Sequence, residues 1–368
     1  MSGSDIRIFL VSLLLLIIIS ISGCTTKTQE ENLSQIQQEP FQPVQEQTQP
    51  QQNIAPQAAQ WKKQSVACNG DFFDTHAHFD GLENTGEVFG HGNAYVSLTP
   101  KELAQRMSEH KVSCGILFVS SMDLNKDYDS MRESMQGINA GFLPFINVFG
   151  SSRGDLSLDV IKNAHNGREE AFFGIGEYGF YTGPLTGTSL TADPWPAIFE
   201  YAAEKDLVLM LHPTQLQANE IDTMLSKYPN TKVVLHGYEL LSTPTLLENL
   251  LRNHKNLYWT YDLATMFDGY LYRTQNSEEF ILWYDANKQQ YLRSARSKLL
   301  PLLEAAPDRV MWGTDLVAAW HVEPAVYNRL MEFSNELVDS LPAEHQDNFA
   351  YANAVRTFGS TGIKFEKL

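Results

Sequence analysis

The segment Asp74-Thr75-His76-Ala77-His78 holds two imidazoles two positions apart, directly after Asp71-Phe72-Phe73. That run reads as a β-strand, and side chains two apart on a strand share a face. His76 and His78 therefore aim the same way, with Asp74 below them. Two imidazoles so placed make half of a divalent-metal site, whose remaining N and O donors must come from elsewhere. Glu177, His212, His236 and Asp315 qualify, because each closes a short apolar run.

Those runs are the elements that must position the chemistry. Eight strand-like stretches are visible, at 71–76, 115–119, 142–148, 172–177, 207–212, 232–236, 256–261 and 309–315. They are apolar on both faces, as buried parallel strands are. Amphipathic, helix-length stretches lie between them, among them 103–110, 194–205, 218–228, 244–253 and 293–305. Strand–helix alternation repeated in this way predicts an α/β fold, a (β/α)8 TIM barrel over 67–368. An open doubly wound sheet would want a Gly-rich phosphate loop after the first strand, and none stands there. In a closed barrel the polar strand ends meet at one C-terminal mouth, which predicts a metal site there. Each residue alone has a plainer reading: a strand-end His as a hydrogen-bonded loop residue, Asp315 as a helix cap, Glu177 as a lysine's partner. Their common address at strand ends is what favours a metal centre.

Two long connections, 81–100 and 263–308, fall on the same face. The aromatic section of the second, Tyr270, Tyr272, Phe280, Trp283 and Tyr284, reads as a lid or pocket wall, or else as an extra helix on the barrel's exterior. Asp74 either orients a ligand imidazole or makes a hydrogen bond in the barrel floor. His91 and His321 read as solvated loop residues, with contact to substrate as the alternative, and His110, His165, His254 and His345 read as surface residues.

The motifs together resemble the amidohydrolase superfamily of metal-dependent hydrolases. The matching residues are Asp74 to His78, Gly174-Ile175-Gly176-Glu177, His212-Pro213, His236-Gly237, Trp312-Gly313-Thr314-Asp315 and the closing Asn353 to Gly359. With no flanking β-sandwich domain, the chain looks most like the amidohydrolase-related branch of small-acid decarboxylases and lactone hydrolases. The resemblance implies that His76 and His78 bind the more buried ion and that Asp315 completes its site. His212 would bind the same ion or a second one. His236 would bind the second ion or polarise the substrate carbonyl, and Glu177 would stand where some members carry a bridging carboxylate. One or two divalent ions are implied; the His and carboxylate donors suit zinc, with iron and manganese as the alternatives. The implied reaction is attack by metal-activated hydroxide on a small amide, lactone or ester, with Asp315 moving the proton and His236 steadying the oxyanion. A TatD-like phosphodiesterase, a decarboxylase of the same branch and a non-catalytic binding barrel share the same residues as alternatives.

The N-terminus carries a different signal. Arg7 precedes an apolar run over 8–21, shorter than the ~20 residues of a membrane span and suited to a secretory signal. Ile21-Ser22-Gly23-Cys24 resembles a lipobox, which predicts a lipoprotein signal peptide over 1–24, lipidation of Cys24 and a membrane-anchored protein outside the cytoplasm. An uncleaved N-terminal anchor is the alternative. Residues 25–66 are rich in Gln and Pro and read as a disordered linker. The net charge of −17 argues against nucleic acid as a partner and leaves a small-molecule substrate as the expected one. Cys68 and Cys114 adjoin consecutive strands, and in an oxidising compartment they pair or remain thiols.

Overall fold

The computed structural model of the protein describes residues 68, 70–77, 100–119, 141–147, 156–166, 172–181, 185–237, 240, 244–274, 276–316 and 319–359. The signal-peptide and linker readings, with Cys24, lie outside them. All described residues fall within one compact unit, Pro56–Leu368. Among them, no helix is long and apolar enough to cross a membrane.

Eight strands form one sheet in sequence order: β1 (Phe72–Ala77), β2 (Val112–Val119), β3 (Gly141–Ile146), β4 (Gly174–Gly179), β5 (Val208–His212), β6 (Val233–Leu235), β7 (Leu257–Asp262) and β8 (Val310–Gly313). Every neighbouring pair is parallel, and a bridge between Ala77 and Leu316 brings the last strand back to the first. The helices between and after them are α1 (Pro100–Glu109), α2 (Leu158–His165), α3 (Trp195–Glu204), α4 (Ala218–Lys227), α5 (Pro244–Asn253), α6 (Leu263–Met266), α7 (Ser277–Ala305), α8 (Pro324–Asp339), α9 (Ala343–Asp347) and α10 (Asn353–Gly359). This is the expected (β/α)8 barrel, with helices between the strands of a nearly closed cylinder.

The doubly apolar strands have two separate partners. Residues such as Phe73, Ile116, Leu143, Phe145 and Met210 fill the barrel interior. Phe358 of α10 closes its N-terminal end, 5.6 Å from the Phe73 ring and 6.0 Å from Phe145. Residues of opposite parity, including Phe72, Phe142, Leu209, Leu235 and Trp259, pack beneath the helices. Cys68 and Cys114 are joined by a disulfide, with Cα atoms 5.4 Å apart. The Tyr351 hydroxyl donates to the Cys68 carbonyl at 3.0 Å, which ties this end of the barrel to the C-terminal helices.

The seam between β1 and β8 is closed by side chains as much as by backbone. Thr75 Oγ1 donates to the Trp312 carbonyl at 2.7 Å and lies 2.9 Å from Thr260 Oγ1. Asp74 accepts from the Thr314 N–H at 2.9 Å, the Thr314 hydroxyl at 2.6 Å and the His76 N–H at 3.1 Å. The Asp315 N–H donates to the His76 carbonyl at 2.7 Å. Burial pushes the Asp74 carboxyl up to about 6, against the pull of those donors. Among the described residues, Asp74 thus makes the structural hydrogen bonds of one of its two readings.

The aromatic section after β7 is an exterior helix rather than a lid. Asn276 caps α7 by accepting from the Glu279 N–H at 3.0 Å. Phe280 and Tyr284 are buried, Trp283 stacks on Tyr270 with centroids 3.9 Å apart, and the helix packs against α5 and α8.

Candidate metal centre

Each strand delivers its polar residue at its C-terminal end, and the residues meet. His76 comes from β1, Glu177 from β4, His212 from the end of β5, His236 from just past β6, and Asp315 from just past β8. His78 and His91 lie outside the described residues. The five are between 0% and 8% exposed. His76 Nε2 lies 3.1 Å from Glu177 Oε2 and 3.4 Å from Asp315 Oδ1. Glu177 Oε1 lies 3.1 Å from His212 Nδ1 and 2.7 Å from His236 Nε2. The ring centroids of His76 and His236 are 3.9 Å apart, and those of His212 and His236 are 4.3 Å apart. Glu177 is thus the hub, with one oxygen toward β1 and the other toward β5 and β6.

Local backbone chemistry makes this convergence possible. Gly176 has φ +112°, and a Cβ there would come within 2.2 Å of the Met210 carbonyl oxygen. Only glycine lets β4 approach β5 this closely while turning Glu177 inward. Gly237, with φ +109°, turns the chain sharply just after His236. Asp315 takes φ +52°, a left-handed conformation that Asp tolerates better than most residues.

A sixth residue belongs to the cluster and was not among the sequence candidates. Asp262, fully buried at the end of β7, caps α6 by accepting from the Thr265 N–H at 2.7 Å through Oδ1. Its Oδ2 lies 3.4 Å from both His76 Nδ1 and His236 Nδ1. The shared carboxylate turns both Nε2 atoms toward Glu177. This is the imidazole-orienting task that the sequence reading offered to Asp74 as one alternative. The signal was present: Asp262 directly follows the 256–261 run and so has the same strand-end address.

The electrostatics suit a cation. Burial opposes the charged form of Glu177, but the His236 and His76 charges and the bonds from His212 and His236 outweigh it and hold the carboxyl well below its usual range. Asp262 is likewise held low against burial by its bonds to His236 and His76. Burial also opposes protonation of His76 and His236. Asp315 and Glu177 overcome that for His76, and Glu177 and Asp262 do so for His236, so both bind protons above the ordinary range. The field that favours a proton on these rings would equally favour a divalent ion, which displaces the proton on binding. Two donor groups have ligand atoms mutually within 4.8 Å: His76, His236, Asp262 and Asp315, and Glu177, His212 and His236. Ligands at ~2.1 Å from one ion lie at most ~4.2 Å apart, so small side-chain movements would bring either group onto an ion. The residues fit one or two cations, with His236 common to both groups.

Three histidines expected at the surface are buried. His321 is 1% exposed beside Trp320, with centroids 4.2 Å apart. His165 bonds the Tyr201 hydroxyl at 2.7 Å, and His254 bonds Asp222 at 2.7 Å. Polar neighbours in sequence, Asn166 for His165 and Asn253 and Lys255 for His254, concealed tertiary cover there, whereas His321 stands between Trp320 and Val322.

A family model described as amidohydrolase matches residues 73–360. The chain belongs to the amidohydrolase family. Curated proteins give no significant sequence match, whereas solved structures give many. A probable 2-pyrone-4,6-dicarboxylic acid hydrolase from Acinetobacter baumannii, with citric acid bound, is 13% identical, with a TM-score of 0.56 over 78% of this chain and 99% of that one. A zinc-bound amidohydrolase from Burkholderia multivorans is 15% identical, with a TM-score of 0.55 over 78% and 99% of the two chains. These likenesses show a shared fold. As an amidohydrolase the protein is an enzyme of a metal-using hydrolase family, and its buried imidazole–carboxylate cluster stands where a barrel places its chemistry.

Proposed function

We propose that this amidohydrolase is a divalent-metal-dependent hydrolase of a small carbonyl substrate, an amide, lactone or ester. The observation that carries the reading is the meeting of His76, Glu177, His212, His236 and Asp315, from five different strand ends, in one buried cluster. With His78, these residues would hold one or two ions. Imidazole and carboxylate donors suit zinc, the ion bound by the Burkholderia multivorans relative. A bound ion would supply Lewis acidity, which acidifies water and polarises a carbonyl.

The protein's own side chains would do the rest. Asp315, with Oδ1 turned into the cluster, accepts the proton lost by the attacking water and returns it to the leaving group. His236 would use Nε2 in one of two ways, as a ligand of a second ion or, with one ion bound elsewhere, as the donor that steadies negative charge on the carbonyl oxygen. Asp262 holds the His76 and His236 rings in that orientation, and Glu177 ties the β1 and β5–β6 sides together. The net charge of −17 favours a small substrate over nucleic acid. We also place the enzyme outside the cytoplasm, tethered by lipid on Cys24 through the 25–66 linker, on the support of the apolar run and lipobox-like residues alone.

Metal analysis of protein purified without chelator, followed by a screen of lactones, amides, esters and phosphodiesters, tests the reading. It expects one or two equivalents of metal and turnover of a carbonyl substrate that chelation abolishes. Turnover confined to phosphodiesters, or none with metal fully loaded, would overturn it. Labelling with a fatty acid, present in the wild type and lost in Cys24→Ala, tests the tether.

A further inference from the structure

Three aromatic side chains leave the end of β4 within four residues, and the fold uses them differently. Tyr178 and Phe180 are buried at 0% and 1% exposure and pack on Trp195, with centroids 5.7 and 5.1 Å away. Tyr181 is 38% exposed. Its ring lies against the His212 imidazole, with centroids 4.2 Å apart and planes tilted by 42°. The placement is built in. The Phe180 N–H donates to the His212 carbonyl at 3.0 Å, which holds the turn against the end of β5. Gly179 leaves room for the ring, since a Cβ there would come within 2.8 Å of it.

The surrounding wall is also clamped. Glu220 of α4 accepts from the Ser189 hydroxyl at 2.7 Å and the Leu190 N–H at 2.8 Å. Gln217, in the turn after β5, donates to the Thr188 carbonyl at 3.4 Å. The connections after β4 and β5 therefore hold one another. A ring that merely buttressed His212 would gain by being covered, as its two neighbours are. An aromatic face held rigidly at the mouth, beside a candidate ligand, is instead a binding surface for another π system.

We propose that Tyr181 is the substrate-binding residue of the mouth. It would stack on a planar, conjugated acyl group and set the carbonyl beside His212 and Glu177, so that the preferred substrates are aryl or unsaturated carbonyl compounds rather than saturated ones. This rests on the hydrolase reading above and names its substrate class.

The test compares methyl benzoate with methyl cyclohexanecarboxylate, which match in size and leaving group and differ in planarity. Metal-loaded wild type, Tyr181→Phe, Tyr181→Ala and Leu216→Ala are assayed. Leu216, 84% exposed on the next connection, is the control for general rim apolarity. Tyr181→Ala should raise KM for the benzoate roughly 3- to 10-fold, with kcat, the cyclohexane substrate and metal content essentially unchanged. Tyr181→Phe and Leu216→Ala should keep the wild-type preference. Loss of metal from Tyr181→Ala would make the ring a support for His212 and overturn the proposal. So would equal effects on both substrates, or an equal effect of Tyr181→Phe or Leu216→Ala. Calorimetric binding of benzoate against cyclohexanecarboxylate reads the same preference without turnover. An enzyme inactive on every carbonyl compound would thus sink the hydrolase reading, while the binding ratio still decides the role of Tyr181.

Discussion

At the N-terminal end of the barrel, Phe73, Phe145 and Met210 fill the interior and Phe358 plugs it. At the C-terminal end, His76, Glu177, His236 and Asp262 occupy the same cylinder. Phe118 marks the boundary, with its ring edge-on to Phe145 at 6.0 Å below and to His76 at 5.5 Å above. The floor is held by dispersion, apolar burial and a disulfide. The mouth is held by charges that must balance one another, and removing one member of such a set leaves its partners uncompensated. The difference teaches that stability and reactivity are stacked along one axis, so damage to one end should leave the other readable.

The sharpest break of that contrast is Asp315→Asn. Asn also tolerates the left-handed backbone at this position, so the barrel should still fold, with melting lowered by the charge left uncompensated at His76, while kcat/KM falls on the order of 10²- to 10⁴-fold. Steady-state kinetics beside a thermal melt check this, and retained turnover would remove Asp315 from the reaction. The converse change acts on the floor. Replacing Cys68 and Cys114 by Ser frees a loop with a sequence separation of 46, worth ~4 kcal/mol in the chain-entropy account. Denaturant melts should show that loss, while turnover per folded molecule at 25 °C stays level. Should activity fall with stability, the two ends are coupled.

Asp262→Asn probes the mouth more gently. Loss of the carboxylate shared by His76 and His236 should weaken metal affinity ~10- to 100-fold, read by competition with a chromogenic chelator, and unchanged affinity would make Asp262 only a helix cap. The smallest effect is a pH slope. Burial pushes the His321 imidazole down to about 3, against the opposing influence of the Leu271 backbone and Asp315. The unfolded chain takes up this proton near ~6.5 and the folded one does not, so stability is full above that pH and falls as pH drops below it, by at most ~1.4 kcal/mol per pH unit. His321→Gln should flatten the melting temperature between pH 6 and 4 relative to wild type, and parallel curves would refute the assignment.

Much of this architecture was legible in advance because its signals are local. Eight apolar runs became eight strands, and a Glu, His or Asp closing a run pointed to the mouth without any knowledge of neighbours. Legibility ended where cross-chain partners decide. Asp262 is hidden because the apolar run over 256–261 stops at Tyr261, while the strand continues one residue further. The aromatic section admits both a lid and an exterior helix because its rings suit either, although Asn276 followed by Glu278 and Glu279 is a helix-start signal and Phe280 and Tyr284 are one helical turn apart. Asp74 stayed ambiguous because its donor, Thr314, lies 240 positions away, and no local pattern announces such a meeting.

That separation has a consequence for the newborn enzyme. A ribosome delivers His76 well before the groups that fasten its strand from the far side, Thr314 and Asp315, some 240 positions later. Contacts this remote form late, so metal loading should crown assembly rather than seed it. A chain halted at Asp308 should therefore retain no stoichiometric ion in equilibrium dialysis.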